Sequence, residues 1–276
     1  MKSRRQVWGL VGRYALLSVL SIIVLFPIYI TIVNGLLSVD QVGHKPPILF
    51  PLHPVWENFS HAWSDGHFGH YMANSFVVTA IIVTGQLVTA IFAGYAFAFL
   101  EFPFKRTLFV VFLATLMVPF EVTIIQNLTT VTSLGIYNSY AGLAIPFLAT
   151  GFGAFLMRQA FLGVPRDLQD AASLDGYGHW RFMSRVAVPL VRPSIAALGV
   201  FAFLSAWNQY LWPLLVTKDD QFRTVQVGLK QLAGSTIGDL PVRFASAAIV
   251  VVPLAVLLIV FQKQLVRGLT AGAVKG

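Results

Sequence analysis

Two groups of polar side chains interrupt long apolar stretches of this sequence. Glu121 follows Pro119 in "TLMVPFEVTIIQNL", and Asn208, Gln209 and Tyr210 stand together in "SAWNQYLWPLL". If these stretches cross a membrane, an ionised carboxylate near the centre costs about 2.5–3.5 kcal/mol on insertion scales, so it should face a partner or a wet cavity. The pattern favours a role in lining a polar path, although structural hydrogen bonding is an alternative for each group.

The remaining residues do not indicate catalytic chemistry. The chain has no cysteine, its acidic residues are scattered, and no H-x-x-x-H pair is present. A membrane enzyme would need a nucleophile–base pair or a metal cluster. The phosphate-binding pattern G-x-x-x-x-G-K-[ST] is also missing, so the chain does not bind ATP by that route. We therefore assign no catalytic residue and no metal ligand.

Five histidines lie in one segment between Leu37 and Met72, which contains "HKPPILFPLHPVWENFSHAWSDGHFGHY". A metal site is one interpretation, but the spacings match no compact ligand set. The interpretation we prefer is an interfacial loop in which Trp56, Trp63 and Tyr71 sit at the level of the lipid headgroups.

The composition indicates a membrane protein. Of 276 residues, 57% are hydrophobic and 11% are charged, and the mean hydropathy is +0.74, whereas soluble domains carry about 25% charged residues. The net charge of +8 could suit nucleic acid or a membrane,. Because the few charges are spread among apolar blocks, we expect a lipid bilayer as the partner and no nucleic acid.

Six apolar blocks are long enough to cross a bilayer, and lipid requires each to be helical. The N-terminal block is too long for a signal-peptide core, so we interpret it as a retained first span. The sequence thus predicts an all-α membrane protein forming one membrane domain over residues 1–276. The predicted spans are Ala15–Leu36, Ala73–Leu100, Leu108–Leu128, Tyr140–Leu162, Ser194–Val216 and Phe244–Leu265.

The positive charges predict the orientation of these spans. Of the 19 Lys and Arg residues, 14 fall on the side of the N-terminus and five on the opposite side. Positive residues concentrate in the cytoplasm. Both termini are therefore predicted to be cytoplasmic, together with the segment between spans four and five.

That segment reads "DAASLDGYGHWRFMSRVAVP" from Asp170 to Pro189, and a short helix is predicted over residues 165–176. Pro165 suits a first turn, and Gly176 suits a left-handed stop. Spacings of three and four residues place an apolar group on one face, and something should cover it. The cover is either the chain's own spans or another protein. The group is Val164, Leu168, Ala171 and Ala172.

The same segment resembles the signature of permease subunits in bacterial ABC importers, written E-A-A, three residues, Gly, nine residues, I-x-L-P. Asp170, Ala171 and Ala172 occupy the first three positions, Gly176 follows, and residues 186–189 read Val-Ala-Val-Pro. Asp replaces Glu, and Val replaces both Ile and Leu. The resemblance implies a coupling helix that sits in a cleft of the ATP-hydrolysing subunit. The coupling residues it implies are Leu168, Asp170, Ala171, Ala172, Asp175, Gly176 and Pro189.

The resemblance also implies the partners. They are a second homologous permease chain forming a heterodimer, two copies of an ATP-binding subunit, and an extracytoplasmic substrate-binding protein. ATP and Mg are then bound by the partner ATPase, and this chain carries no cofactor. The expected location is the bacterial inner (plasma) membrane, where the spans rock between inward- and outward-facing states.

Residues 74–268 resemble the second permease subunit of carbohydrate-type importers, above all those for glycerol-3-phosphate, in "TLMVPFEV", "YNSYAGLAIP" and "AWNQYLWPLL". The expected cargo is glycerol-3-phosphate or a glycerophosphodiester such as glycerophosphocholine; the alternatives are a disaccharide or other sugar, and, more remotely, an ion-coupled secondary transporter. A phosphate would favour the outer cations Arg223, Lys230 and Arg243. The candidate pathway residues are Glu121, Asn127, Asn208, Gln209, Tyr210 and Trp212.

Overall fold

The computed structural model describes residues 4–64, 67–232 and 240–270, with the backbone alone for residues 4–8 and 265–270. The regular elements in these ranges are helices, without a strand, which confirms the all-α prediction. Two compact units emerge, one of residues 1–69 with 228–252 and one of residues 70–227 with 253–276. In chain order the helices are α1 (Arg4–Gly35), α2 (Glu57–Ser64), α3 (Phe68–Phe99), α4 (Lys105–Ala114), α5 (Phe120–Ser133), α6 (Tyr140–Ala144), α7 (Gly151–Leu162), α8 (Arg166–Leu174), α9 (His179–Phe182), α10 (Val188–Leu190), α11 (Arg192–Trp207), α12 (Leu211–Val216), α13 (Val225–Leu232) and α14 (Leu240–Thr270).

The first unit contains α1, α2 and the beginning of α14. Every residue of α1 from Val11 to Tyr29 is exposed, and this stretch is almost wholly apolar. Helix α1 ends against α14, where a Cβ atom added to Gly35 would lie 2.9 Å from the backbone nitrogen of Ala245. The amide of Asn58 donates to the carbonyls of Gly35 (3.0 Å) and Leu37 (2.9 Å), so it satisfies carbonyl groups that the end of the helix leaves free.

Among the residues that the structure describes, three helices are long and apolar enough to cross a membrane, namely Gly9–Gly35 of α1, Phe68–Phe99 of α3 and Leu240–Gln264 of α14. They match the first, second and sixth predicted spans. The chain has up to six spans if three bent helix pairs are each one span. These pairs are Lys105–Met117 with Phe120–Ser133 (98°), Tyr140–Phe147 with Gly151–Leu162 (49°), and His179–Leu190 with Arg192–Trp207 (77°).

The breaks correct the sequence-based expectation that blocks 108–128, 140–162 and 194–216 are each one helix. Val118, directly before Pro119, has extended backbone angles (φ −91°, ψ 108°), because the proline ring disfavours a helical conformation in the preceding residue. The second block turns into a 3-10 segment at Ile145–Phe147 before α7 begins. The third ends its long helix at Trp207 and resumes at Leu211.

Among the described residues of the second unit, buried apolar side chains form two clusters along α3. The first joins the last third of α3 to α7 and to the segment from α8 to α11, and the second joins the middle of α3 to α5, α6 and α12. Helices α3 and α7 come very close at Gly94, where an added Cβ atom would lie 2.6 Å from the Cβ atom of Met157 and 2.8 Å from the nitrogen of Arg158. Glycine is therefore needed there to keep the two helices packed.

Candidate functional site

The short helix predicted between spans four and five is present as α8, Arg166–Leu174. It begins directly after Pro165, carries Asp167 in its first turn, and is followed by Gly176 at φ +75°. Pro165 directly precedes the helix and Gly176 follows it, because the proline ring fixes its own φ angle and glycine tolerates a positive φ angle. The helix is shorter than the predicted range of 165–176.

The apolar side chains of α8 do not all face the chain's own interior. Val164 and Ala172 are buried, whereas Leu168 (40%) is exposed and so is Ala171. Leu174, which the predicted face did not include, is 91% exposed. The spacing of these residues on α8 is compatible with the predicted apolar face, of which the chain's own helices cover Val164 and Ala172 and leave Leu168 and Ala171 open. Asp170, Asp175 and Gly176, for which the resemblance implied a coupling role, are exposed too.

Pro189 lies in α10, at the end of a bent helical segment that begins with α9. Residues Met183–Ala187 of this segment form a π turn. A π turn is rare and often marks a functional position. The segment then meets α11 at an angle of 77°.

Glu121 lies in the first turn of α5, immediately after the break at Pro119, and is exposed. Its carboxylate therefore stands at the positive end of the helix dipole, which favours a negative charge. Asn127 is half-buried one and a half turns further along and donates to the hydroxyl of Thr123 (3.2 Å).

Asn208, Gln209 and Tyr210 lie in the gap between α11 and α12, where the backbone leaves the helix. The amide of Asn208 donates to the carbonyl of Leu204 in its own helix (2.8 Å), so this bond lies within one helix. Gln209 is half-buried, and its Oε1 atom is enclosed without a hydrogen-bond partner in the part of the chain that the structure describes. Buried polar atoms are normally paired, so this oxygen is an unsatisfied hydrogen-bond acceptor at the break.

Trp212 has a packing role in this structure. It is 1% exposed, and its indole N–H donates to the carbonyl of Gly142 (3.2 Å). Its ring centroid lies 5.6 Å from that of Phe120, the first residue of α5, and 6.2 Å from that of Phe147. Trp212 thereby brings the start of α12 next to the start of α5, so the break that carries Asn208 and the break that carries Glu121 are neighbours.

Comparison with known proteins identifies the chain. Residues 86–271 match the model of a family described as the inner membrane component of binding-protein-dependent transport systems. The chain belongs to this family. The matched range contains α8 and both polar breaks. The chain is therefore a multi-pass permease subunit of an ABC importer in the inner membrane, and a transport subunit rather than an enzyme.

Relatives extend this likeness over nearly the whole permease. The sn-glycerol-3-phosphate transport system permease protein UgpE of Rhizobium meliloti (strain 1021) is 34% identical over 278 residues, covering 98% of each chain. The protein of the same name from Agrobacterium fabrum (strain C58 / ATCC 33970) is 35% identical over 257 residues, covering 90% of this chain and 91% of the relative.

A solved structure shares the fold. It is a chain of a bacterial ABC transporter involved in the import of the acidic polysaccharide alginate, with a TM-score of 0.83 over 95% of this permease and 98% of that chain. The sequence identity is 22%, so this likeness concerns the fold alone.

Sequence reasoning missed the polar residues of α3 that hold the broken helices. Gln86 donates to the carbonyl of Phe147 (2.9 Å), and Thr89 donates to that of Leu148 (2.8 Å). Lipid offers no hydrogen bond to a carbonyl freed by a break, so a neighbouring helix must supply it. The sequence signal for these contacts was a glutamine and a threonine three residues apart within an apolar helix.

Another network of α3 holds the loop after α12. The amide of Asn74 donates to the carbonyls of Gln221 (2.9 Å) and Arg223 (2.9 Å), and its oxygen accepts from the hydroxyl of Tyr140 (2.6 Å). Arg223, considered above for phosphate, is ion-paired with Asp220. Its charge is therefore already partly neutralised within the loop.

A polar stripe on α5 was also missed. Gln126, Thr129, Thr130 and Ser133 are exposed at helical spacings of three and four residues. The three hydroxyl groups each donate to a carbonyl of α5 itself. These bonds satisfy the hydroxyl hydrogens and leave oxygen lone pairs on the helix surface, which is a suitable lining for a path taken by a hydroxylated solute.

Proposed function

We propose that this permease carries sn-glycerol-3-phosphate into the cell. The observation that carries the proposal is the full-length likeness to permeases named for that solute, at 34% identity over 98% of both chains. Fold likeness alone would leave the cargo open, because one fold serves many solutes.

The path for the solute is proposed to run along the two neighbouring breaks. The breaks contain Glu121, Asn208, Gln209 and Tyr210. Asn127 is half-buried on α5, and the buried Trp212 packs between the two breaks. Broken membrane helices near a binding site are a recurring feature of transporters, because the freed backbone lines a cavity. The enclosed amide oxygen of Gln209, which has no hydrogen-bond partner among the described residues, supports this proposal, since a solute hydroxyl that reaches the break would complete its hydrogen bonding.

A glycerophosphodiester with a cationic group, such as glycerophosphocholine, is the second candidate cargo. The exposed carboxylate of Glu121 favours it, because a negative charge repels phosphate and attracts a quaternary ammonium group. Glycerol hydroxyls could also donate to this carboxylate. A disaccharide is a third cargo, for which no charge near the breaks is needed.

Energy is proposed to enter through α8. The excess of Lys and Arg on one side of the spans supports a cytoplasmic position for both termini and for α8. The exposed side chains of Leu168, Ala171 and Leu174 form an open apolar surface suited to a cleft in an ATP-binding subunit. In that complex the partner subunit binds ATP and Mg, and its closure displaces α8 and shifts the population of the spans between inward- and outward-facing states.

The working unit is proposed to be a heterodimer of this chain with a second permease, joined to two ATP-binding subunits inside and a substrate-binding protein outside. The almost fully exposed apolar length of α1 supports an assembly in which lipid and other chains cover this helix. Detergent co-purification of the tagged chain tests the assembly: an ATP-binding subunit should be retained. An isolated chain that transports without one would overturn it.

The cargo is tested by uptake into proteoliposomes that contain the complete complex and its substrate-binding protein. Radiolabelled sn-glycerol-3-phosphate should accumulate with ATP inside and not with ADP. A tenfold excess of glycerophosphocholine or maltose should compete only if it shares the path. ATP-dependent uptake of one competitor together with no uptake of sn-glycerol-3-phosphate would reject the proposed cargo and keep the importer.

A further inference from the structure

The segment directly after α8 is tied to α3 by one side chain, Tyr95. Its hydroxyl oxygen lies 3.1 Å from Nδ1 of His179 and 3.2 Å from the carbonyl oxygen of the same residue. Tyr95 is 4% exposed, whereas its partner His179 is exposed, so the hydroxyl makes these bonds from the buried side of the contact. In the described part of the chain, both hydrogen bonds that join α3 to α9 run through this hydroxyl.

The two contacts of the Tyr95 hydroxyl bear on which ring nitrogen of His179 carries the hydrogen. A tyrosine hydroxyl has one hydrogen to donate and can also accept. Both contacts are hydrogen bonds at once when the hydroxyl donates to the carbonyl and accepts from Nδ1–H. The tautomer with the hydrogen on Nδ1 therefore satisfies both contacts.

Aromatic side chains pack around the two hydrogen bonds of Tyr95, but they do not replace these bonds. The ring of Phe182 lies 5.3 Å from that of Phe99, and the ring of Trp180 stacks on that of Phe92 at 6.1 Å. Such contacts hold the helices together, but they are less directional than hydrogen bonds and tolerate a small slide. The Tyr95 bonds fix the register of α9 against α3.

The connection from α9 back to α8 is short. The N–H of Tyr177 donates to the carbonyl of Ala172 (2.8 Å), the one α8 residue that is buried. Helix α3 then continues unbroken from Tyr95 back to Phe68. A displacement of α8 therefore has a continuous covalent and hydrogen-bonded route into a membrane-spanning helix.

We propose that Tyr95 is a positioning residue for energy coupling, which locks α9 to α3 so that α8 and α3 move as one body. This inference rests on the proposed docking of α8 to an ATP-binding subunit. Without the lock, nucleotide-driven movement of α8 slips against α3, and ATP is consumed with less transport.

The test uses Tyr95→Phe in the complete complex, since phenylalanine keeps the ring and loses both bonds. The readout is the amount of radiolabelled sn-glycerol-3-phosphate transported per ATP hydrolysed. We expect this ratio to fall about fivefold or more, within the usual range of coupling between sites, while retention of the ATP-binding subunit is unchanged. Tyr137→Phe, at an exposed tyrosine, is the matched control and should keep the wild-type ratio.

Two substitutions of His179 keep the proposal testable if Tyr95→Phe does not assemble. Asparagine places an N–H group close to the position of Nδ1, whereas glutamine places it nearer to that of Nε2. His179→Asn should keep the transport per ATP, and His179→Gln should lower it, though less than Tyr95→Phe does, because the carbonyl bond remains. Equal ratios for the two variants would overturn the inference.

A distance measurement separates this inference from the proposed cargo. The chain has no cysteine, so spin labels can be placed at the exposed positions Arg181→Cys and Val77→Cys alone. The distribution of distances between the labels should stay narrow with ADP and with ATP, and broaden with ATP when Tyr95→Phe is added. If Tyr95→Phe leaves the distance distribution unchanged, the proposed role of Tyr95 in holding α9 to α3 is rejected, whatever solute is carried. Absence of sn-glycerol-3-phosphate uptake in the wild type would reject the cargo alone.

Discussion

The rings of Phe120 and Trp212 meet edge to face, with centroids 5.6 Å apart and an interplanar angle of 85°. Each residue stands at the start of a helix that resumes after a break. This arrangement is favourable for two aromatic rings. The contact determines that Glu121 and the Asn208–Tyr210 gap, 87 residues apart in sequence at their nearest, belong to one region of the permease.

Trp212→Phe should lower the thermal unfolding midpoint of the purified permease. The change removes the hydrogen bond to Gly142 and leaves a small cavity; bonds of this kind within membranes contribute about 0.6 kcal/mol on average, and up to about 1.7 kcal/mol. Trp56→Phe, at a residue that is 65% exposed, should leave the midpoint unchanged. Unfolding is followed by circular dichroism, a signal that does not depend on the substituted tryptophan. Equal unfolding midpoints for the two variants would contradict the packing role of Trp212.

Gly94→Ala should destabilise the permease, because the new methyl group would meet Met157 at 2.6 Å and the backbone of Arg158 at 2.8 Å. Overpacking of this kind costs about 1–3 kcal/mol. Gly12→Ala on α1, where nothing lies within 4 Å, is the matched control. The measurement is the yield of monodisperse protein in detergent together with its unfolding midpoint. A wild-type midpoint for Gly94→Ala would show that α3 and α7 are not held this closely.

Glu121→Gln should separate the two candidate cargoes. Removing the negative charge leaves uptake of sn-glycerol-3-phosphate equal or higher, since an anion is no longer repelled. Uptake of glycerophosphocholine should fall severalfold if Glu121 pairs with its ammonium group. Initial rates of uptake of both labelled solutes provide the measurement, with Asn208→Ala alongside. Wild-type rates for both solutes in both variants would remove these residues from the path.

Leu174→Glu should abolish retention of the ATP-binding subunit without unfolding the permease. The residue is 91% exposed, so the charge is harmless in the free chain and is buried only by a docked partner, where an unpaired charge is costly. Leu52→Glu, at a residue that is 88% exposed in the first unit, should retain the subunit. Co-purification with the ATP-binding subunit is the readout, and full retention by Leu174→Glu would exclude α8 as its docking surface.

The sequence predicted α8 well because the residues that begin and end this helix act locally. Pro165 fixes its own φ angle and Gly176 accepts the left-handed angle that ends a helix, so no knowledge of neighbouring helices is required. The long helices α1, α3 and α14 were equally accessible, since length and apolar composition suffice for them.

The breaks were less predictable because their stability depends on other helices. A proline in a membrane span can produce a kink or a complete break, and the outcome depends on which neighbours satisfy the freed carbonyls. At Phe147 and Leu148 those neighbours are Gln86 and Thr89 of α3, about 60 residues away in sequence. The burial of Trp212 was missed for the same reason, since its indole partner is the carbonyl of Gly142 on α6.

Helix α3 joins all of these regions. It runs for 32 residues without a proline, about 48 Å at 1.5 Å per residue, and its side chains at Asn74, Gln86, Thr89 and Tyr95 each hold an interrupted part of the chain. An unbroken helix that is hydrogen-bonded to its neighbours at several positions transmits a tilt along its whole length. Genetic suppressors of a lesion near Tyr95 should therefore arise near Asn74, at the far end of the same helix, as readily as beside the lesion itself.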